Sequence, residues 1–181
     1  MLLLLSNMNI KQKNLNRGFT LIELLVVIAI IGLLSSIVLA SLSTARAKAR
    51  DSARIQNLVQ LRTALAEYYN TNGSYPLPGN SEYWGGVNVA PSCADVNGTV
   101  SGPNAYISGL TPTYISVLPT DPATSNGCTG YMYHSDGVNY ALLDHVTYEG
   151  SYPTAGQQFY DPVRSSWSLK VCSGEPACSS W

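Results

Sequence analysis

Hydrophobic and polar positions divide the chain near residue 70. From Phe19 to Ala45 the residues are apolar or small, with a single charge at Glu23. Past Ala45 the chain turns polar, and apolar positions return at Ile55, Leu58, Leu61 and Leu65, followed by Tyr68 and Tyr69. Spacings of three and four put these on one face of a helix, and the chain has no Gly or Pro between Gly32 and Gly73. The pattern predicts one helix from about Phe19 to Tyr69, apolar all round in its first half and amphipathic in its second. At about 1.5 Å rise per residue the apolar half is about 40 Å long, enough to cross a bilayer. Asn72-Gly73-Ser74-Tyr75-Pro76 then stops the helix: Gly73 suits a left-handed cap and Pro76 cannot continue it.

The rest is patterned differently. All ten prolines lie at or beyond Pro76, and residues 77 to 112 read as a long connecting loop with brief strands or a short helix. Tyr131-Met132-Tyr133-His134 and Val138-Asn139-Tyr140-Ala141-Leu142-Leu143 flank a turn at Ser135-Asp136-Gly137, a hairpin signal. The fold class expected is therefore α+β: a long N-terminal helix packed through its amphipathic half on a small antiparallel sheet with long loops.

Composition narrows the functional classes. Of the 181 residues only 12% are charged, while 45% are hydrophobic and 12 are Tyr, which excludes an intrinsically disordered chain. From residue 70 onward eight acids face only Arg164 and Lys170, so no cationic surface for nucleic acid is present there. Before the apolar run, Lys11, Lys13 and Arg17 carry no compensating acid. By the positive-inside tendency this end stays cytoplasmic and the large C-terminal part is exported. The basic residues Arg46, Lys48, Arg50 and Arg54 are either a solvated face or partners for acids on neighbouring subunits.

Candidate chemistry is sparse. His134 and His145 with Asp136 and Asp144 lack any motif for acid–base or nucleophilic work, and adjacent Asp144 and His145 in a strand point to opposite faces. Asp121, Asp136 and Asp144 read as solvated turn residues rather than an oxygen-ligand site, and no metal or cofactor is assigned. No C-x-x-C pair supports zinc. Cys93, Cys128, Cys172 and Cys178 all lie in the exported part, where an even count implies two disulfides in one of three connectivities.

One feature resists the reading of a plain anchor: Glu23, a carboxylate four residues after Phe19 in an apolar run, where a charge ordinarily requires a partner. Arg17-Gly18-Phe19-Thr20-Leu21-Ile22-Glu23-Leu24-Leu25-Val26-Val27 resembles the class III signal of type IV prepilins and pseudopilins. The resemblance implies a structural filament subunit and not an enzyme. In it prepilin peptidase cuts after Gly18, Phe19 becomes the N-methylated terminus, and Glu23 pairs with the Phe19 amine of a neighbouring subunit during assembly. It further implies residues 1–18 as leader, with Met8 the expected start, then 19–45 as the membrane and assembly helix, 46–70 as its amphipathic half and 71–181 as the exported domain. Leu118-Pro119-Thr120-Asp121-Pro122 resembles the stretch leading into the sheet of such proteins. A Cys172–Cys178 loop is similar to the disulfide-bounded region of some type IV pilins, which leaves Cys93 with Cys128.

The partners implied are the peptidase, other pilin subunits, an inner-membrane assembly platform and membrane lipid, with DNA only for an uptake filament. The location implied is the cytoplasmic membrane, single-pass, and then a periplasmic or extracellular filament. The competing expectation is an extracytoplasmic binding or enzymatic domain on an uncleaved anchor.

Overall fold

The computed structural model describes residues 18–78, 84–86, 106–123 and 129–181. Helix α1 runs Leu21–Asn72, strands β1 to β4 are Gly85–Gly86, Gly130–Ser135, Tyr140–His145 and Ser168–Cys172, and a short helix α2 is Ala177–Ser180. The chain divides into two compact units, one ending at Leu42 and one beginning at Ser43. The first contains the apolar half of α1. Every described residue in it is exposed, and sixteen are large hydrophobics, among them Leu33 at 66%.

The second unit holds the rest of α1 and the sheet. All neighbouring strands are antiparallel in the order β1-β2-β3-β4, with β1 contributing only two residues at the edge. Register places Tyr131, Tyr133, Tyr140, Leu142, Leu169 and Val171 on one face of the sheet. That face closes a core with Leu58, Leu61, Ala64 and Leu65 of α1 and with Tyr106, Ile107, Leu110 and Leu118 of the preceding loop. The opposite face is also covered: Met132, Ala141 and Leu143 pack with Trp84 and with Ala177 of α2. Both faces being buried, the strands carry near-continuous apolar runs rather than a simple alternation.

Turn chemistry fixes the ends of these elements. Gly73 sits at φ +73°, and its N–H donates to the Tyr69 carbonyl at 2.8 Å, capping α1. In the β2–β3 hairpin Gly137 takes φ +88°, while Asp136 Oδ1 accepts from the N–H groups of Val138 and Asn139. The segment leaving α1 is then tied to this hairpin, Tyr75 N–H donating to the Gly137 carbonyl and the Tyr133 hydroxyl to the Pro76 carbonyl.

The helix, its stop and the hairpin follow the sequence pattern closely. Of the loop expected over 77–112, residues 79–83 and 87–105 lie outside the described residues, as do Cys93 and Cys128. Cys172 and Cys178 form a disulfide that closes α2 against the end of β4.

The two halves of α1 make opposite predictions under truncation. Leu61 has no exposed surface, so Leu61→Ala in the detergent-solubilised chain lowers the unfolding free energy of the second unit by about 2–5 kcal/mol. Leu33→Ala, on an exposed position, leaves the denaturation midpoint of that unit where it is, and chemical denaturation followed by Tyr and Trp fluorescence measures both.

Candidate functional site

Two constellations carry chemistry. The first opens α1. Thr20 precedes the first helical residue, and Glu23 lies in the first turn. The Thr20 N–H and hydroxyl both donate to Glu23 Oε2, at 2.8 and 2.7 Å, and the Glu23 N–H donates to Thr20 Oγ1 at 3.2 Å. This is a reciprocal capping box, satisfying amide groups that the first turn leaves without helical partners. The Thr-x-x-Glu spacing is visible in the sequence but is hidden there by the more conspicuous anomaly of a charge among leucines. Glu23 thus has a local structural partner, and its carboxylate is presented beside Gly18 and Phe19, both exposed, Phe19 at 86%. A Cβ at Gly18 would meet nothing within 4 Å, so the fold itself does not demand glycine there.

The second constellation is a buried ionic cluster in the second unit. Arg54 lies on the core-facing side of α1 with no exposed surface. Its Nε and Nη2 donate to the two carboxylate oxygens of Asp121 at 2.7 and 3.2 Å, and its Nη1 donates to Asp51 at 2.6 Å and to Glu149 at 3.1 Å. Arg50 donates to both oxygens of Glu149 at 2.6 and 2.5 Å. Asp51 also accepts from the Glu149 N–H at 3.0 Å, so its carboxylate bridges the helix and the loop after β3. Although burial works against the guanidinium's charge, the hydrogen bonds to Asp121, Glu149 and Asp51 hold its pKa above the ordinary value. Glu149, hydrogen-bonded by Arg50 and then by Arg54, is held well below the usual carboxylate range.

Asp144 completes the cluster. It faces Tyr131 across β2–β3 on the core side and is fully buried; Thr147 donates to its Oδ1, while Oδ2 has no hydrogen-bond partner and lies 3.9 Å from Arg54 Nε. Desolvation, reinforced by the nearby Asp121 charge, pushes its pKa up to about 7, against the lowering effect of the Thr147 hydrogen bond.

These positions correct three sequence expectations. Asp121 and Asp144 are buried around a guanidinium and are not solvated turn residues; only Asp136 is one. Arg50 and Arg54 neither face solvent freely nor await another subunit, because acids of their own chain take them. Only Asp51, three residues from Arg54, is a local partner; Asp121 and Glu149 lie 67 to 99 positions away, and pairing at that range leaves no local pattern. His145 and Asp144 do occupy opposite faces. His145 packs edge-on against Trp167 and His134 against Trp181. Among the described residues no group of three or more His, Cys, Asp or Glu side chains has a metal-holding arrangement. On the second sheet face, Lys170 Nζ lies 3.7 Å from Asp161 and donates to the carbonyls of Trp181 and Cys178 at 2.7 and 3.3 Å, fastening the disulfide loop.

The cluster predicts a pH dependence with a definite sign. Asp144 in the folded state keeps a proton that the unfolded chain releases near its ordinary pKa of 3.8, so its contribution favours folding increasingly as pH falls from about 7 toward about 4. Glu149 has the opposite sense, its contribution present above 4.5 and lost only as pH falls below that. Thermal unfolding should therefore give a higher Tm at about pH 5.5 than at about pH 8, and Asp144→Asn should flatten the difference. Arg54→Ala, which strands buried carboxylates without a cation, should cost about 3–5 kcal/mol.

Comparison with known proteins places these features. Residues 13–39 match the prokaryotic N-terminal methylation motif family. The chain is 34% identical over 111 residues to the type II secretion system core protein G of Aeromonas hydrophila, covering 61% of this chain and 70% of that protein. It is 30% identical over 128 residues to the type IV major pilin protein PilE1 of Neisseria gonorrhoeae, covering 71% of this chain and 49% of that protein. A fimbrial protein of Neisseria meningitidis is 40% identical over 65 residues, 36% of this chain and 38% of that protein. The chain thus spans about half the length, or less, of these Neisseria relatives. No solved structure matches it.

Proposed function

The chain belongs to the type IV pilin and type II secretion pseudopilin family, and from this we propose that it is a structural filament subunit of a type IV pilus or a type II secretion pseudopilus. The observation that carries the reading is the exposed apolar half of α1, opened by a charged capping box directly beside a Gly18-Phe19 bond. Such a surface requires lipid before assembly and neighbouring apolar helices after it.

The proposed sequence of events starts with insertion as a single-pass precursor whose segment 1–18 is cytoplasmic. Prepilin peptidase then cuts between Gly18 and Phe19 and methylates the Phe19 amine. An inner-membrane platform adds the subunit to a filament through residues 19–45, while 46–70 carry the exported domain, 71–181, outward. The role is structural rather than catalytic. In the filament Glu23 of one subunit receives the Phe19 ammonium of the next, a pairing favoured because neither charge is tolerable alone in a low-dielectric bundle.

Glutamine separates the two duties of Glu23, since it can serve a capping box without the charge. Gly18→Val should leave unprocessed precursor in the membrane, because a side chain obstructs the peptidase while, from the open space around Gly18, the fold is unaffected. Glu23→Gln and Glu23→Ala should both be processed, inserted and deficient in filaments when expressed with the assembly machinery. Immunoblotting for processing and electron microscopy of sheared filaments give the readout. Filaments from Glu23→Gln at the level of the parent chain would show that the cap alone matters, and normal processing of Gly18→Val at Phe19 would contradict cleavage by prepilin peptidase.

A further inference from the structure

Four basic residues follow the apolar run, and their fates divide. Arg50 and Arg54 are taken by Glu149, Asp51 and Asp121. Arg46 and Lys48 are exposed, and no ion pair joins either to an acid among the described residues. The nearest acid along the helix is Asp51, one turn beyond Lys48, and it is engaged by Arg54 and by the Glu149 N–H. Two cations half a turn apart are therefore left without a counter-charge among the described residues.

Their place along the helix says what supplies it. Between Glu23 and Arg46 lie 22 residues, Leu24 to Ala45, without a charge. At about 1.5 Å each they span about 33 Å, close to the roughly 30 Å hydrocarbon thickness of a bilayer. Glu23 then stands at the inner boundary of the hydrocarbon and Arg46 at the outer boundary, with Lys48 one half-turn further on. Long basic side chains at that depth reach phosphate oxygens while their methylene stems cover apolar surface.

Resting on the reading of a processed, membrane-inserted subunit, we propose that Arg46 and Lys48 form a headgroup site for anionic phospholipid at the outer face of the membrane. In the processed chain Lys11, Lys13 and Arg17 are gone, so this pair is the basic flank that remains next to the apolar segment. The site sets the depth of the waiting subunit. Moving the helix outward draws both cations away from phosphate and carries Glu23 toward hydrocarbon, so extraction is opposed until a neighbour supplies the replacement contacts.

The test uses the full processed chain in nanodiscs of phosphatidylcholine with a minor fraction of phosphatidylglycerol, the anionic lipid retained on the protein being counted by native mass spectrometry. The parent chain should retain phosphatidylglycerol in excess of its bulk fraction, and R46Q/K48Q should lose about fivefold of that preference for each charge removed. R62Q, an exposed basic position about 24 Å further along the helix, should retain the parent preference. Equal retention by R46Q/K48Q and the parent, or an equal loss in R62Q, overturns the proposal. So does a double variant that keeps its lipid but forms no filaments, which would assign the pair to an acidic neighbouring subunit. A parent chain that fails to enter nanodiscs overturns the membrane reading itself, whereas one that inserts without lipid preference overturns the headgroup site alone.

Discussion

Fifteen large apolar side chains between Leu21 and Leu42 are exposed among the described residues. Burying one such side chain is worth about 1.5–3 kcal/mol, so leaving all of them in water costs on the order of 20 kcal/mol or more. That exceeds the whole folding stability of an ordinary domain. The segment must be in lipid or against other helices, and the remaining features are arranged around that requirement. The capping box lets the helix begin with its first amide groups satisfied, as a nonpolar surrounding demands. The division of the chain keeps every proline and every cysteine beyond Tyr75, outside the apolar segment.

The second unit answers a different difficulty: how a helix that is apolar for half its length is fixed in one register against a sheet. Leu58, Leu61 and Leu65 supply most of the packing, but aliphatic side chains tolerate small shifts. Arg54 does not, because it must reach Asp121 with two nitrogens while a third meets Asp51 and Glu149. The arrangement ties the helix to the loop before β2 and to the loop after β3. Asp144, facing the same guanidinium at 3.9 Å, adds a carboxyl whose charge is poorly compensated, which makes this junction sensitive to pH.

What the sequence disclosed and what it concealed follow from range. The helix, its stop at Gly73, the hairpin around Asp136-Gly137 and the α+β class rest on contacts between residues within one or two turns, and local pattern records these. The Gly18, Phe19 and Glu23 signal is likewise contiguous. The Thr20–Glu23 box is equally local, yet in the sequence Glu23 stands out only as a charge in an apolar run. By contrast, the capture of Arg50 and Arg54 depends on side chains brought from Asp121, Asp144 and Glu149 by the sheet. A buried carboxyl in β3 and a solvated one in the preceding turn look alike until the register of the strands is known.

The chemical state of the chain's N-terminus in the membrane is the most direct test. Peptide mass spectrometry of protein isolated from membranes of a host with prepilin peptidase should find a terminus at Phe19 carrying one added methyl group, with the helix from Leu21 onward retained. A chain still bearing Arg17-Gly18 ahead of Phe19, or one cut beyond Ala45 and released from the membrane, would contradict it.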